Sequence, residues 1–367
     1  MAFKNIIGQK KAINILLGTM ARNRIPSAYL FAGESGIGKK FTAINLAKTL
    51  NCLKAVTSNE LQATSKSQRQ NSELRTPNSE LNSSPVTRHS SLIDCCDECP
   101  SCKKIDSQTH PDFLMAAPEK GEIRVDEIRR IEEAVSLAPY EGKRKVVIVD
   151  DAETMNPSAA NAFLKTLEEP PPQSIIILIS ASPDRLPETI RSRCSRLNFS
   201  PLSPEQCKEV ISQQSVADSQ EKKDSGLPTP DSWLKTVARL SMGRPGLAIS
   251  SDLIEERDWF FNLFREMSGG RNKETWADKE EMELWFNKAF MLLRDIAVLK
   301  ITGKSDMLIN TDLKDRFAEM SRAIEMKDII DIYGRLSFLK GYLGFNLNKS
   351  ITWNYVTIII KGLGVRF

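Results

Sequence analysis

Three sets of residues in this sequence have the types and the spacing to do chemistry. The first is Gly33-Glu34-Ser35-Gly36-Ile37-Gly38-Lys39, which fits the pattern G-x-x-x-x-G-K. Glycines at those positions let backbone amides turn inward around phosphate oxygens, and Lys39 brings a point charge to the terminal phosphates. The second is Asp150-Asp151, an acidic pair at the end of an apolar run. Asp150 stands where a strand-end carboxylate holds magnesium, directly or through water. The third is Cys96-x-x-Cys99-x-x-Cys102, three thiolates on tight turns with a spacing that suits zinc.

The phosphate loop departs from a hydrolytic one at two places. The residue after Lys39 should carry a hydroxyl for magnesium, but it is Lys40, whose ammonium cannot ligate a cation and repels one. The water-orienting Glu expected after Asp150 is Asp151, one methylene shorter, and catalytic geometry tolerates an error of about 1 Å badly. Gly33, Gly36, Gly38, Lys39 and Asp150 therefore form a candidate nucleotide site with the wrong residues for turnover. ATP remains an open ligand and Mg2+ a doubtful one.

Tetrahedral zinc needs a fourth ligand. Cys95 is adjacent to Cys96 and reaches the same ion only under strain, while His89 lies in a polar insertion. Cys52, at the end of the helix after the phosphate loop, is the better candidate. Lengthening the intervening loop from ~8 to ~42 residues costs about 1.5 kcal/mol in closure entropy. Structural zinc yields ~10–16 kcal/mol, so closure wins. The alternative is a loose loop of reduced thiols. Cys194 and Cys207 are remote and read as ordinary buried thiols.

The elements that must position these groups alternate. Ala28–Ala32 reads as a strand, the helix of the phosphate loop begins near Gly38, and Ile128, Ile131 and Val135 mark one face of a helix from Val125. Val146–Asp150 and Ile175–Ser180 are continuous apolar runs of the kind buried in parallel sheets. Between them a helix over Ala159–Glu169 stops at Pro170-Pro171-Pro172, where the rings remove amide donors. Strands alternating with helices predict an α/β parallel sheet. After Leu202-Ser203-Pro204 the pattern is wholly helical, with a polar stretch at 214–230 joining two short helices. A larger bundle from about 250 carries Leu292, Ile296 and Leu299 on one face. Residues 53–94 are rich in Ser, Asn, Gln and Thr, repeat Asn-Ser-Glu-Leu, and read as a disordered insertion.

At 367 residues, two or three domains are expected, and 41% hydrophobic residues suffice for buried cores. A net charge of +4 permits nucleic-acid binding without arguing for it. The N-terminal MAFKNIIGQKKAINILL lacks a signal-peptide pattern, and no run of about 18 apolar residues predicts a membrane span. The expectation is a cytoplasmic protein with its seven cysteines reduced or bound to metal.

With these segments in view, the sequence resembles the AAA+ clamp-loader family of bacterial DNA polymerase III, and within it the delta-prime kind. IGQKKAI at 7–13, the phosphate loop, CDECPSC at 96–102, THPDF at 109–113 and APEKGEIRVDEIR at 117–129 all contribute. The run from Asn156 to Cys194, with AANAFLKTLEEPP and Ser192-Arg193-Cys194, is the most specific; LLRDIAVLK at 292–300 and FNLNKSI at 345–351 are similar to the collar of delta-prime subunits. The resemblance implies an AAA+-type P-loop domain over 1–200 with a zinc module at 95–102. A small helical lid over 201–250 and an all-α collar over 251–367 follow. It implies a hetero-pentamer of motor subunits, a delta subunit and this chain, which loads a sliding clamp onto primed DNA. The chain would belong to a DNA-directed DNA polymerase holoenzyme with no polymerase site of its own. Motor subunits carry Gly-Lys-Thr or Gly-Lys-Ser and Asp-Glu; this chain has Lys40 and Asp151, and its lid segment Gly243-Arg244-Pro245-Gly246 also departs from the motor pattern. A scaffold role with weak or absent ATPase is the main expectation. Arg193 is then a catalytic residue in trans, an arginine finger on a neighbouring subunit's ATP, unless Arg191, Arg193 and Arg196 are a solvated or DNA-binding edge. The rival readings are an ATP-hydrolysing gamma/tau-like motor and a zinc-ribbon nucleic-acid binder, the latter disfavoured by the lack of interleaved aromatics.

Overall fold

The computed structural model describes residues 2–54, 94–119, 121–221, 231–269, 276–343, 345 and 347–362. By contact the chain divides into two compact units, Met1–Leu202 and Ser203–Phe367. Most of the insertion expected at 53–94, and His89 with it, lies outside the described residues. Asp94, however, belongs to the folded body. It is buried and accepts hydrogen bonds from the amides of Phe3 (3.0 Å), Cys95 (2.8 Å) and Lys4 (3.2 Å). Three amide donors make burial of that carboxylate tolerable, so the insertion ends before it.

The first unit is a five-stranded sheet in the order β2-β3-β4-β1-β5, every neighbouring pair parallel. Its strands are β1 (Ala28–Ala32), β2 (Phe113–Ala116), β3 (Lys145–Val149), β4 (Ser174–Ser180) and β5 (Ser195–Asn198). The three central strands are buried along their whole length, as their unbroken apolar runs require. Around the sheet lie α1 (Lys10–Ala21), α2 (Lys39–Asn51), α3 (Pro100–Asp106), α4 (Val125–Ser136), α5 (Pro157–Glu168) and the single turn α6 (Glu188–Arg191). This is the parallel α/β sheet that the alternation of strands and helices predicts.

Helix α4 turns Ile128, Ile131 and Val135 onto a core with Leu30, Val147, Val149, Ile176 and Leu178, joined by Ala160, Phe163 and Leu167 of α5. Each such side chain removed from water contributes roughly 1.5–3 kcal/mol before chain entropy is counted. Asn156 caps α5, its side-chain oxygen accepting from the Ala159 amide at 2.8 Å, and Pro157 sits at the first turn, where no amide partner is lost. These choices fix the helix that carries Glu168.

The second unit is helical. It comprises α7 (Pro204–Glu221), α8 (Asp231–Leu240), α9 (Pro245–Ser250), α10 (Leu253–Gly269), α11 (Lys279–Thr302), α12 (Lys314–Ala323), α13 (Met326–Gly341) and α14 (Lys349–Gly362). Helix α7 runs past the expected start of the polar linker at 214, because no Gly or Pro interrupts the sequence before Gly226. The bundle core is aromatic, with Phe260, Phe264, Trp276, Trp285, Phe286, Phe317 and Trp353 all buried. Leu292 and Ile296 are buried in it and Leu299 packs against it, the face foreseen in the sequence. Asp295, fully buried, accepts from the amides of Ile309 and Asn310 at 2.9 Å each and so fastens the loop after α11. Among the described residues no helix is long and apolar enough to cross a membrane.

Candidate functional site

The phosphate loop links β1 to α2. Its glycines adopt left-handed backbone angles, φ 148° at Gly33, 79° at Gly36 and 94° at Gly38, which side chains resist. Gly33 is constrained by packing as well, since a Cβ there would lie 2.6 Å from the Phe199 carbonyl oxygen. At Gly38 a Cβ would meet nothing within 4 Å, so the space before the helix N-terminus is open. No side chain caps α2 at Gly38, and its first amides are left for another acceptor. The Lys39 ammonium, in a buried residue, donates to the carbonyls of Gly33 (2.5 Å) and Glu34 (2.6 Å), which holds the loop curled. Burial pulls the Lys39 pKa below its ordinary value, although Glu153, Asp150, Asp151 and Glu34 oppose the shift. Nucleotide phosphates fit this loop.

Magnesium does not. The Lys40 ammonium lies 3.1 Å from Asp150 Oδ2, so the carboxylate meant for a metal already has a cation of the chain's own. Asp151, at φ 45°, is held above the usual carboxylate range by burial and then by the charges of Asp150 and Glu153. The raised pKa does not by itself disqualify it as a base; its side chain is one methylene shorter than the Glu of a hydrolytic site and does not reach the same position.

Two braces of the loop were not foreseen. Gln9 donates through Nε2 to the carbonyls of Ile37 (3.2 Å) and Ser200 (2.7 Å), and its Oε1 accepts from the Ser200 amide. It thereby ties the segment before α1 to the phosphate loop and to the end of β5. Glu153 Oε1 accepts from the amides of Ala181 and Ser182, 2.9 and 3.0 Å away, and fixes the turn after β4. Both pair residues far apart in sequence, for which local periodicity carries no signal.

The cysteine site forms where α2 ends against the 94–102 loop. The Sγ atoms of Cys52, Cys96, Cys99 and Cys102 all lie within 4.8 Å of one another, with Cys52 3.5 Å from Cys96 and 4.0 Å from Cys99. Tetrahedral zinc with bonds of ~2.3 Å would place its sulfurs ~3.8 Å apart. This donor set could hold one metal ion. Cys95 packs beside the cluster but outside the four-sulfur group, its Sγ directed at Asp97 and its thiol pushed up to about 12, chiefly by burial. Beneath the cluster Lys48, buried within α2, pairs with Asp106 at 2.9 Å and with Asp97. That lysine joins the cysteine loop to α3 and to the phosphate-loop helix, and a lone lysine inside a helix gave no hint of it.

Asp112, of the THPDF segment, is fully buried and accepts from the amides of Tyr140 (2.7 Å), Glu141 (2.7 Å) and Gly142 (2.6 Å). Arg193 follows the single turn α6. Its guanidinium donates to the Thr189 carbonyl at 2.7 Å and to Glu168 Oε1 at 2.5 Å. Arg191 pairs separately with Asp184 at 3.1 Å. The structure thus brings Gly33, Gly36, Gly38 and Lys39 together with Asp150, and assembles the four cysteines. It leaves Arg193 at the surface, with a third of its side chain exposed.

Comparison with known proteins gives three kinds of relative. The profile of the family described as "DNA polymerase III, delta subunit" matches residues 8–87 and 79–203. DNA polymerase III subunit delta-prime of Bacillus subtilis is 26% identical over 315 residues, 83% of this chain and 82% of that protein. The Escherichia coli subunit delta-prime is 37% identical over 166 residues, 45% of this chain and 46% of the relative. The Bacillus subtilis subunit tau is 32% identical over 199 residues, 54% of this chain but only 29% of tau.

Proposed function

The chain belongs to the DNA polymerase III delta-subunit family as a clamp-loader subunit of the delta-prime type, and from that premise we propose that it is a stationary member of the loader rather than one of its motors. It joins motor subunits and a delta subunit in a hetero-pentamer that opens a sliding clamp and places it on primed DNA. The observation that carries the non-motor reading is the Lys40–Asp150 ion pair, which sets the chain's own ammonium on the carboxylate a motor reserves for magnesium.

Arg193 acts in trans. A guanidinium is always charged and forks onto two phosphate oxygens, so it suits the charge that develops on a neighbour's ATP during transfer. Arginines supplied this way are worth ~10³–10⁵ in rate. A subunit with a poor site of its own retains the motif because it completes the site next door. The cysteine cluster holds one structural zinc through Cys52, Cys96, Cys99 and Cys102, fastening α2 to the loop at 94–102.

Assembly is supported by an apolar strip on the C-terminal helices. Ile330, Tyr333 and Phe338 on α13 and Ile351, Tyr355 and Ile358 on α14 are all exposed, at spacings of three to five residues. Such a strip is costly on a lone soluble helix pair and suits burial against a partner subunit. In this reading 201–250 is the lid and 251–367 the collar.

The likeness to tau favours a second reading, an ATP-hydrolysing motor. Co-expression with motor and delta subunits, followed by stoichiometry and ATPase measurements, separates the two. One silent copy per complex supports the stationary role; several copies, or turnover by the chain alone, support the motor.

A further inference from the structure

We propose that the phosphate loop takes a nucleoside di- or triphosphate without a divalent cation, the Lys40 ammonium supplying the positive charge that magnesium supplies in a hydrolysing site. The inference deepens the reading of the chain as a non-motor subunit and concerns only its own loop, not its assembly.

The loop is ready for phosphate. Its three glycines already hold the backbone angles that turn amides inward, and Gly38 opens α2 without a capping side chain. A Cβ placed at Gly38 would meet nothing within 4 Å, so the loop is open on that side. Lys39 is anchored on the carbonyls of Gly33 and Glu34 within the loop that would wrap the ligand, and it is not committed to a carboxylate.

What the loop lacks is a place for metal. Lys40 stands one residue along the helix from Lys39, where a hydroxyl ligand is required, and it reaches Asp150 Oδ2 at 3.1 Å. A dication entering there would meet an ammonium at close range and lose the carboxylate to it. The same ammonium is not sealed in. Its side chain is 46% exposed, so it can be shared between Asp150 and phosphate oxygens. Lys39 and Lys40 then flank the phosphates as two fixed charges at a helix N-terminus, an arrangement that attracts anions unaided. Asp150 positions Lys40 and holds no metal.

A site of this kind binds without turning over. Binding needs positive charge near the phosphates, which two lysines provide. Hydrolysis needs a metal-organised leaving group and a well-placed base, and neither is built here. The nucleotide becomes a structural ligand.

The test is calorimetric titration of ADP, and separately of ATP, into the purified full chain, once with Mg2+ and once with EDTA. The affinities should agree within about twofold in the two buffers. Lys40→Thr should weaken binding in EDTA by about ten- to hundredfold, the worth of one charge-assisted bond, and should recover affinity when Mg2+ is added. Asp150→Asn, which removes the carboxylate that positions Lys40, should change affinity by the same factor in EDTA and in Mg2+; a loss confined to the Mg2+ buffer would mean that Asp150 holds metal. Thermal melting verifies that each variant is folded. Binding by the natural chain only when Mg2+ is present overturns the proposal, as does the absence of binding by a folded chain in both buffers. Co-purification with the other loader subunits reports on membership of the complex and is unaffected by either result.

Discussion

The Arg193 guanidinium donates to Glu168 Oε1 at 2.5 Å, joining the turn after α6 to the end of α5 within one chain. Both side chains are partly exposed, and such pairs contribute only about 0–1 kcal/mol. In the proposed trans role Arg193 leaves Glu168 at little energetic cost. Arg193→Ala should leave the fold intact, with a melting temperature close to that of the natural chain. It should lower DNA-stimulated ATPase in the reconstituted loader by the share of the one interface it completes. Arg193→Lys should rescue little of that loss, because an ammonium lacks the planar fork. Unchanged turnover in a properly assembled Arg193→Ala complex would remove the trans role.

One zinc per chain is expected from the four converging thiols. Metal analysis of freshly purified protein should return a ratio near unity. Cys52→Ser should bind zinc far more weakly and melt well below the natural chain, since a structural metal adds its binding free energy to folding. Cys95→Ser should keep its zinc, because that sulfur is directed at Asp97 instead. Equal zinc content in the Cys52→Ser variant would take Cys52 out of the ligand set; loss in Cys95→Ser would put Cys95 in.

Asp112 links stability to pH. Burial alone would raise its pKa, but the amides of Gly142, Tyr140 and Glu141, with His110 nearby, hold it below the usual carboxylate range. A carboxylate with a depressed folded value contributes stability that is complete above its unfolded pKa of ~3.9. That stability is lost as pH falls through the folded value. Asp112→Asn should therefore cost about 1–3 kcal/mol at neutral pH and flatten the loss of stability below about pH 4. Urea titrations of both proteins across that range measure it. Parallel curves would mean that the three amide bonds to Asp112 carry no charge-dependent stability.

Much of the first unit was legible because its signals are local. Unbroken apolar runs announced β3 and β4, the proline triplet stopped α5, and glycine spacing located the phosphate loop between β1 and α2. The approach of Cys52 to Cys96, Cys99 and Cys102 was legible because the end of α2 and the cluster bracket one loop. What local pattern cannot carry is pairing between distant residues. Lys40 reads as a missing hydroxyl, yet its meeting with Asp150 depends on how β1 and β3 lie in the sheet. Asp94 has the polar character of the insertion beside it, and only the amides of Phe3 and Lys4 reveal it as part of the fold. Lys48 similarly looks like any surface lysine until Asp97 and Asp106 close over it.

Steady-state phosphate release tests the central claim most directly, measured on the isolated chain and on the loader reconstituted with it. The account predicts negligible release by the chain alone, with or without primed DNA, because Lys40 occupies the metal carboxylate and Asp151 stands in for Glu. It predicts strong DNA-stimulated release by the complete loader, partly lost when the chain carries Arg193→Ala. Robust release by the isolated natural chain would contradict it.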